Sequence, residues 1–417
     1  MNTNDIHIAL PASKSESNRL LVLNHLLGGV LRISNLSTSD DTVLLRKLLA
    51  QLKEGRSTVY YCDNCGTVAR FMTALLAVTP GSHFITGDER LRERPIAPLV
   101  EALNGMGLNV KYVQEEGRLP LQIEGQQPRR KMAYITPAES SQYVSALLLL
   151  APALPDGITV QMRGKVPSKS YIDMTCKLLE RVGFTVKHSV TGRVIMVGKP
   201  QGGVVRQTIG VGQDWSAAAF FYEVAAMFPQ YRLRLTGLGL DSIQGDAVAA
   251  EYFARLGVRS VEVRPPFRKS SVASLRIQGG GELSKTRLYY TFRNCPDLMP
   301  AVAVAGAYLG QDVVLAGIEN LRHKESDRVA AVAAELEAMG CKISYHSCGD
   351  MHIHPSKQPL QPTRAIRTYG DHRIAMAMAP LQLAYGQLEI ENPEVVSKSF
   401  PDFWRQLEEI KMNSKNE

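Results

Sequence analysis

Residues 140–188 read SSQYVSALLLLAPALPDGITVQMRGKVPSKSYIDMTCKLLERVGFTVKH, and this stretch decides the fold. A serine pair opens SSQYVSALLLLAP, an Ala/Leu-rich run that suits a buried helix. ITVQMRG then alternates apolar and polar residues, the period of a half-buried strand. YIDMTCKLLERVG predicts a second helix. It ends at Gly183, a residue that tolerates the left-handed conformation found just past helix ends. FTVKH resumes as strand. One unit therefore reads β-α-β-α-β-β in a circular register.

The pattern recurs outward in both directions. First helices open near Ser15 (SESNRLLVLNHLL), Cys65 (CGTVARFMTALLA), Ser140, Asp214 (DWSAAAFFYEVAAM), Asp297 (DLMPAVAVAGAY) and Asp371 (DHRIAMAMAPLQLA). The strands that follow the other five are VLRISNL, SHFITGD, YRLRLTGL, DVVLAGI and LEIENPE. Further second helices are RPIAPLVEALNGMG, DAVAAEYFARLG and DRVAAVAAELEAMG, ending at Gly107, Gly257 and Gly340. Helix starts from Cys65 onward are 75, 74, 83 and 74 residues apart, but Ser15 precedes Cys65 by only 50. The first copy has thus lost about 25 residues, roughly one hairpin. After LLRKLLAQLKEG only RSTVYYCDN remains where the others carry two strands.

A chain of 417 residues suits about two domains of roughly 200 residues, hence three units in each of two lobes. Hydrophobic content of 45% and charged content of 21% are those of an ordinary globular protein, so global disorder is excluded. The net charge of +8 is dispersed. Its densest clusters are Arg129–Lys131 and Arg90–Arg94, without interleaved aromatics, which favours small acidic ligands over nucleic acid. Cys62 and Cys65 form a lone CxxC, and Cys341 with Cys348 does not repeat its spacing, so small buried thiols are expected rather than zinc or redox chemistry. MNTNDIHIALP has neither the basic nor the apolar region of a secretion signal. The apolar run Val144–Leu154 is too short to span a bilayer. The expected compartment is the cytoplasm.

Polar residues gather at the first-helix starts: Lys14, Ser15 and Arg19; Asn64, Gly66 and Thr67; Ser140, Ser141 and Gln142; Asp214 and Ser216; Asp297; Asp371, His372 and Arg373. Taken singly, the Ser, Thr and Asp residues are explained as helix caps. The cations are not, because a positive charge is disfavoured where a helix begins. Lys14, Arg19 and Arg373 lie at or near such ends, Arg94 precedes Pro95 at a second-helix start, and Lys324 and Arg328 flank another. Their cost suggests a bound anion, and Lys and Arg forks suit phosphate and carboxylate.

At these residues the chain resembles the 5-enolpyruvylshikimate-3-phosphate synthase (3-phosphoshikimate 1-carboxyvinyltransferase) family of enolpyruvyl transferases. The matching segments are LPASKSESNR (10–19), DNCGTVAR (63–70), RERPI (92–96), SSQYVSALLLLAP (140–152), PSKSYIDMT (167–175), PDLMPAVAVAG (296–306), LRHKESDR (321–328), GDHRIAMAMAPL (370–381) and KSFPDF (398–403), in family order. The resemblance implies an α/β fold: a two-lobed inside-out α/β barrel of six βαβαββ units, the first shortened. One lobe would span residues 14–212, the other 1–13 with 213–417, with crossings near 12–14 and 212–214. It implies transfer of the enolpyruvyl group of phosphoenolpyruvate to the 5-hydroxyl of shikimate 3-phosphate, without metal or organic cofactor. The partners implied are these small anions alone, with no nucleic acid and no membrane, and the protein acting as a monomer.

By motif, Ser140, Ser141 and Ser168 would hold the phosphate of shikimate 3-phosphate, Ser15 and Arg19 its carboxylate side, and Gln142, Tyr171 and Lys324 would line the same ligand. Arg94, Arg328, Arg373 and Lys398, with the backbone at Gly66 and with Gln142, would hold phosphoenolpyruvate. Lys14 would touch both substrates. Asp297 would take the hydroxyl proton and line shikimate 3-phosphate; Glu325 and Lys14 would move protons at the methylene carbon; His372 would support Glu325 or the phosphate. Plainer readings stand beside these: Glu325 as a first-turn charge, His372 as a structural histidine.

Cys65 stands where the family usually has a small residue, and Phe71 where many members have proline. Cys65 raises an alternative, enolpyruvyl transfer to UDP-N-acetylglucosamine on the same fold, whose loop cysteine lies in a long flexible segment; Cys65 instead lies in a tight NCGT turn. A non-catalytic remnant that binds phosphate ligands is motivated by the short first copy. RNA 3′-phosphate cyclase shares the fold, but no nucleotide signature is present.

Overall fold

The computed structural model describes residues 5–55, 57–263 and 273–414. Met1–Asn4, at the head of the segment read for a secretion signal, and Arg56, at the head of RSTVYYCDN, lie outside the described residues. The chain divides into two compact units, Lys14–Val211 and a second made of Met1–Ser13 with Gly212–Glu417. The fold is mixed α/β.

Four sheets share one topology. In each, a first strand runs parallel to a second, the second pairs antiparallel with a third, and the third with a fourth that precedes it in sequence. In Lys14–Val211 one such sheet is Val59–Tyr61, Gly81–Thr86, Leu121–Gly125 and Asn109–Tyr112. The other is Met132–Ile135, Ile158–Met162, Val194–Gly198 and Thr185–His188. In the second unit the sets are Ile6–Ala9, Arg232–Thr236, Ser274–Gln278, Arg259–Val263, and Leu288–Thr291, Val313–Ala316, Met351–Ile353, Ile343–Tyr345. A helical crossover joins the parallel pair in three of these sheets; in the fourth, Lys14–Val211 lies in sequence between Ile6–Ala9 and Arg232–Thr236. Burial alternates along strands such as Ile158–Met162, as a sheet with one face on the core requires.

The first copy has the parallel pair alone: Leu31–Ser34 beside Gln207–Gly210. Its second helix, Asp40–Glu54, ends at Gly55 in the left-handed conformation, and the chain passes directly to Val59–Tyr61, which belongs to the next sheet. The last copy departs from the sequence reading. LEIENPE is not a strand: Ile390 makes one isolated parallel bridge with Ile366. Among the described residues no hairpin pairs with it to extend the ladder, and Asn392 turns left-handed ahead of Pro393. Among the described residues, two copies rather than one lack the hairpin.

The first helices form the cores. Every residue of Trp215–Met227 and of His372–Met378 is buried, as is Met299–Ala307 within Met299–Tyr308. Alanines let these helices approach closely. Phe221 meets Phe400 and Phe403 at ring-centroid distances of 6.1 Å, and truncating it to Ala would cost about 3–5 kcal/mol. In the other unit Gly66–Val78, buried except for Thr67, packs on both Lys14–Leu26 and Gln142–Leu148. The helices stop where the glycines were read: Gly107, Gly183, Gly257 and Gly340 all have positive φ. No helix among the described residues is long and apolar enough to cross a membrane.

Candidate active site

In the unit Met1–Ser13 with Gly212–Glu417, three helix starts converge on one guanidinium. Arg328 opens the helix Arg328–Ala338, whose cap Asp327 accepts from the Ala330 N–H at 3.0 Å. Arg328 is 2% exposed, and every nitrogen of its fork meets a carboxylate. Nε donates to Asp371 Oδ2 at 2.8 Å, Nη1 to Asp297 Oδ1 at 2.9 Å, and Nη2 to Glu325 Oε2 at 2.8 Å. Asp371, fully buried, also accepts from Ser326 Oγ at 3.1 Å and from the Arg373 N–H at 2.9 Å, so it caps its own helix and grips Arg328 together. Arg373 Nη2 lies 2.8 Å from Asp297 Oδ2, so two arginines hold the Asp297 carboxylate from both oxygens. Burial would depress the Arg328 guanidinium, but Asp371, Glu325 and Asp297 outweigh it and raise the pKa further.

His372 is buried beside Asp371, with Nδ1 3.6 Å from Oδ1. Lys324 follows the short helix Glu319–His323, and Lys398 ends Pro393–Lys398; both are half-buried. Asp246 is a carboxylate that sequence reasoning missed. It is buried against the Ser216 hydroxyl. Burial and then the Asp297 charge push it up to about 7, while Ser216 and Arg373 pull the other way.

The unit Lys14–Val211 has its own cluster. Gly66 opens a helix at a point where an added Cβ would lie 2.4 Å from Arg70 Nη1 and 2.8 Å from Arg94 Cζ. Two guanidinium groups thus stack over backbone that only glycine leaves open. Arg70 donates to Gln142 Oε1 at 2.8 Å and lies 5.3 Å from the Tyr143 ring; Gln142 Nε2 reaches Thr67 Oγ1 at 2.8 Å. Gly66, Arg94 and Gln142 are therefore brought together, with Arg70 as a member not predicted from sequence. Lys14 Nζ sits 3.2 Å from Asp41 Oδ2, and Cys65 Sγ donates to the other oxygen of Asp41. Cys65 lies in a tight turn, its N–H bonded to the Cys62 carbonyl at 2.9 Å.

Arg19 is a buried brace. Its guanidinium donates to Thr175 Oγ1, Ser145 Oγ and the carbonyls of Ser15 and Tyr171, and it lies 5.9 Å from the Tyr171 ring. Burial lowers its pKa to about 10. Ser140 Oγ accepts from the Gln142 N–H at 3.2 Å. The plain cap reading holds for Asp214 and Asp371, whose side chains accept helix N–H groups. It does not hold for Ser141 and Ser168, which stand at helix starts without a capping bond. Ser168 also adopts a left-handed φ of 53°, a conformation that costs a non-glycine residue energy and concentrates at functional sites.

The cations at helix starts are offset in part by the protein's own carboxylates: Asp41 for Lys14, and Asp297, Glu325 and Asp371 for Arg328 and Arg373. Asp41 and Asp246 were hidden because an acid in a first helical turn already has a local explanation. Only the long-range pairing with Lys14 and Asp297 marks them.

The family model described as EPSP synthase (3-phosphoshikimate 1-carboxyvinyltransferase) matches residues 5–407. A 3-phosphoshikimate 1-carboxyvinyltransferase from Bacteroides fragilis (strain YCH46) is 36% identical over 96% of this chain and 94% of its own length. The enzyme of that name from Paraburkholderia phytofirmans is 34% identical over 96% and 95%. Among solved structures, EPSP synthase from Acinetobacter baumannii aligns with a TM-score of 0.73 at 23% identity, covering 96% of this chain and 94% of that one. The enolpyruvyl transferase NikO from Streptomyces tendae gives 0.70 at 13%, covering 96% and 93%. At these identities the structural likenesses speak for the fold alone.

Proposed function

The chain belongs to the EPSP synthase (3-phosphoshikimate 1-carboxyvinyltransferase) family, and from that premise we infer its reaction. It is a transferase of the shikimate pathway, on the route to chorismate and the aromatic amino acids. It moves the enolpyruvyl group of phosphoenolpyruvate onto the 5-hydroxyl of shikimate 3-phosphate and releases phosphate. The observation that carries this is kinship running the length of the chain, at 36% identity over 400 residues.

The chemistry assigns roles to the residues. The 5-hydroxyl oxygen adds to C2 of phosphoenolpyruvate while a proton goes to C3, giving a tetrahedral intermediate. The C2–O bond to phosphate then breaks, a C3 proton leaves, and the double bond returns. Asp297 takes the hydroxyl proton. Lys14 and Glu325 deliver and remove the C3 proton, and His372 supports Glu325 or the leaving phosphate. Asp297 and Glu325 share the fork of Arg328, which fixes the direction of both carboxylates and supports these roles. Arg94, Arg328, Arg373, Lys398, Gln142 and the Gly66 backbone hold phosphoenolpyruvate. Ser140, Ser141, Ser168, Ser15, Arg19, Gln142, Tyr171 and Lys324 hold shikimate 3-phosphate. For Ser141 and Ser168, the support is a helix start whose cap position is not used for capping.

For the architecture, the reading is six units in two inside-out barrels, supported by one sheet topology recurring four times and by two bare parallel pairings. The enzyme acts in the cytoplasm as a monomer on two small anions, without a cofactor. The deciding assay is phosphate release from phosphoenolpyruvate with either shikimate 3-phosphate or UDP-N-acetylglucosamine as acceptor. Release with the first alone is expected. Release only with the sugar nucleotide would overturn the reading, and release with neither would make the chain a binding remnant.

A further inference from the structure

Glu335 lies seven residues after Arg328 on the helix Arg328–Ala338, about two turns along it. Its side chain is 1% exposed. It gathers the segment that leads into Asp371. Oε1 accepts from Tyr369 Oη at 2.7 Å and Arg364 Nη2 at 2.8 Å, and Oε2 accepts from Arg364 Nη1 at 2.9 Å and the Arg367 N–H at 3.3 Å. Tyr369 and Gly370 are both left-handed, with φ of 55° and 65°. A tyrosine in that conformation is strained and needs a restraint to stay there. The next residues are Asp371, His372 and Arg373, and Asp371 reaches back to Arg328. The helix, the segment 364–370 and the Asp371–Arg328 pair thus close a ring: Glu335 fastens one side and Asp371 the other.

The geometry points to Glu335, acting through the Tyr369 hydroxyl, as a positioning residue that sets Arg373 and Arg328 for the phosphoenolpyruvate anion. This rests on the assignment of those two arginines to phosphoenolpyruvate. A carboxylate with four donors at fixed angles resists rotation of the segment. Without it the left-handed turn relaxes and carries the start of His372–Met378 with it. Misplacement of the order of an ångström is enough to cost such a site heavily.

The test is steady-state kinetics with each substrate varied, beside thermal melting, on Tyr369→Phe, Glu335→Gln and Arg373→Ala. Tyr369 is 41% exposed, so losing its hydroxyl leaves the fold intact and keeps the test open should Glu335→Gln fail to fold. Tyr369→Phe is expected to raise KM for phosphoenolpyruvate about fivefold, the scale of one hydrogen bond, with KM for shikimate 3-phosphate unchanged and Tm lowered by no more than about 2–4 °C. Glu335→Gln, which loses the ion pair with Arg364 as well, is expected to raise it further. If Arg373→Ala impairs phosphoenolpyruvate saturation but both other variants saturate normally, Glu335 is a structural brace and the inference falls. If Arg373→Ala saturates normally, the substrate assignment falls and takes the inference with it.

Discussion

Arg328→Met removes one side chain and leaves three carboxylates facing one another. Asp371 is 0% exposed, Glu325 12% and Asp297 16%, so water screens them little. Breaking a buried ion pair by deleting one partner costs about 3–5 kcal/mol. For a unit of about 200 residues, each kcal/mol is worth roughly 2–4 °C, so Tm should fall by about 6–20 °C. The sign of the pH dependence follows. In the variant, mutual repulsion raises the carboxyl pKa values of the folded state above those of the unfolded chain. The folded state then binds more protons, and its stability falls as pH rises through and above the ordinary carboxylate range. Calorimetry at pH 5 and pH 8 should show the larger deficit at pH 8. Arg328→Lys should recover only part of it, because one ammonium cannot span acceptors now met by Nε, Nη1 and Nη2. Asp371→Asn in the Arg328→Met background should recover stability by removing the most buried of the three charges. A deficit under about 2 °C at pH 8, or one that shrinks as pH rises, would refute this account.

Lys14→Ala, Arg94→Ala and Glu325→Ala should each lower kcat/KM by at least about 100-fold, the scale of one lost acid–base or electrostatic contribution; a near-normal Lys14→Ala enzyme defeats the proton assignment. Asp41→Asn should lower kcat by about tenfold, since it leaves Lys14 in place but loosens it; unchanged kcat would show that the pair is incidental. Gly66→Ala should leave Tm nearly unchanged and raise KM for phosphoenolpyruvate, because the new methyl displaces the flexible ends of Arg70 and Arg94; a normal KM counts against Arg94 as a ligand. Glu223 is fully buried in Trp215–Met227, neither carboxylate oxygen has a hydrogen-bond partner among the described residues, and burial raises its pKa well above the ordinary value. A raised folded pKa means stability present at acid pH and lost as pH climbs past the unfolded value. Glu223→Gln should therefore melt higher than the parent at pH 8 and gain less at pH 5, with the reverse ordering as the failing result.

The repeat was legible because its signals are local. Glycines past helix ends and period-two strands each carry their own physics, and Gly183 and Ile158–Met162 needed no partner to be read. LEIENPE misled for the same reason: alternation is a property of one segment, whereas a strand needs a neighbour, and among the described residues the segment makes a single bridge, Ile366 to Ile390. In the site, Arg328 and Arg373 stood out because a cation at a helix start is locally unfavourable. Asp41, Asp246, Arg70 and Glu335 gave no such signal. Their significance lies in partners 27 to 72 positions away, such as Gln142 for Arg70, and no local cost marks them in the chain.

Ile6–Ala9 pairs with Arg232–Thr236, and the Ala9 N–H is closed by Gln406 Oε1 at 2.7 Å from the helix Phe403–Ser414. On a ribosome Ile6–Ala9 must wait for its neighbour Arg232–Thr236. At about 5–20 residues per second that wait is roughly 10–45 s, and the Gln406 clasp comes later still. Lys14–Val211 meanwhile has all of its own strands in hand. Vectorial synthesis therefore delivers the two units unequally: one can assemble while still tethered, while the other stays open until Phe403–Ser414 emerges.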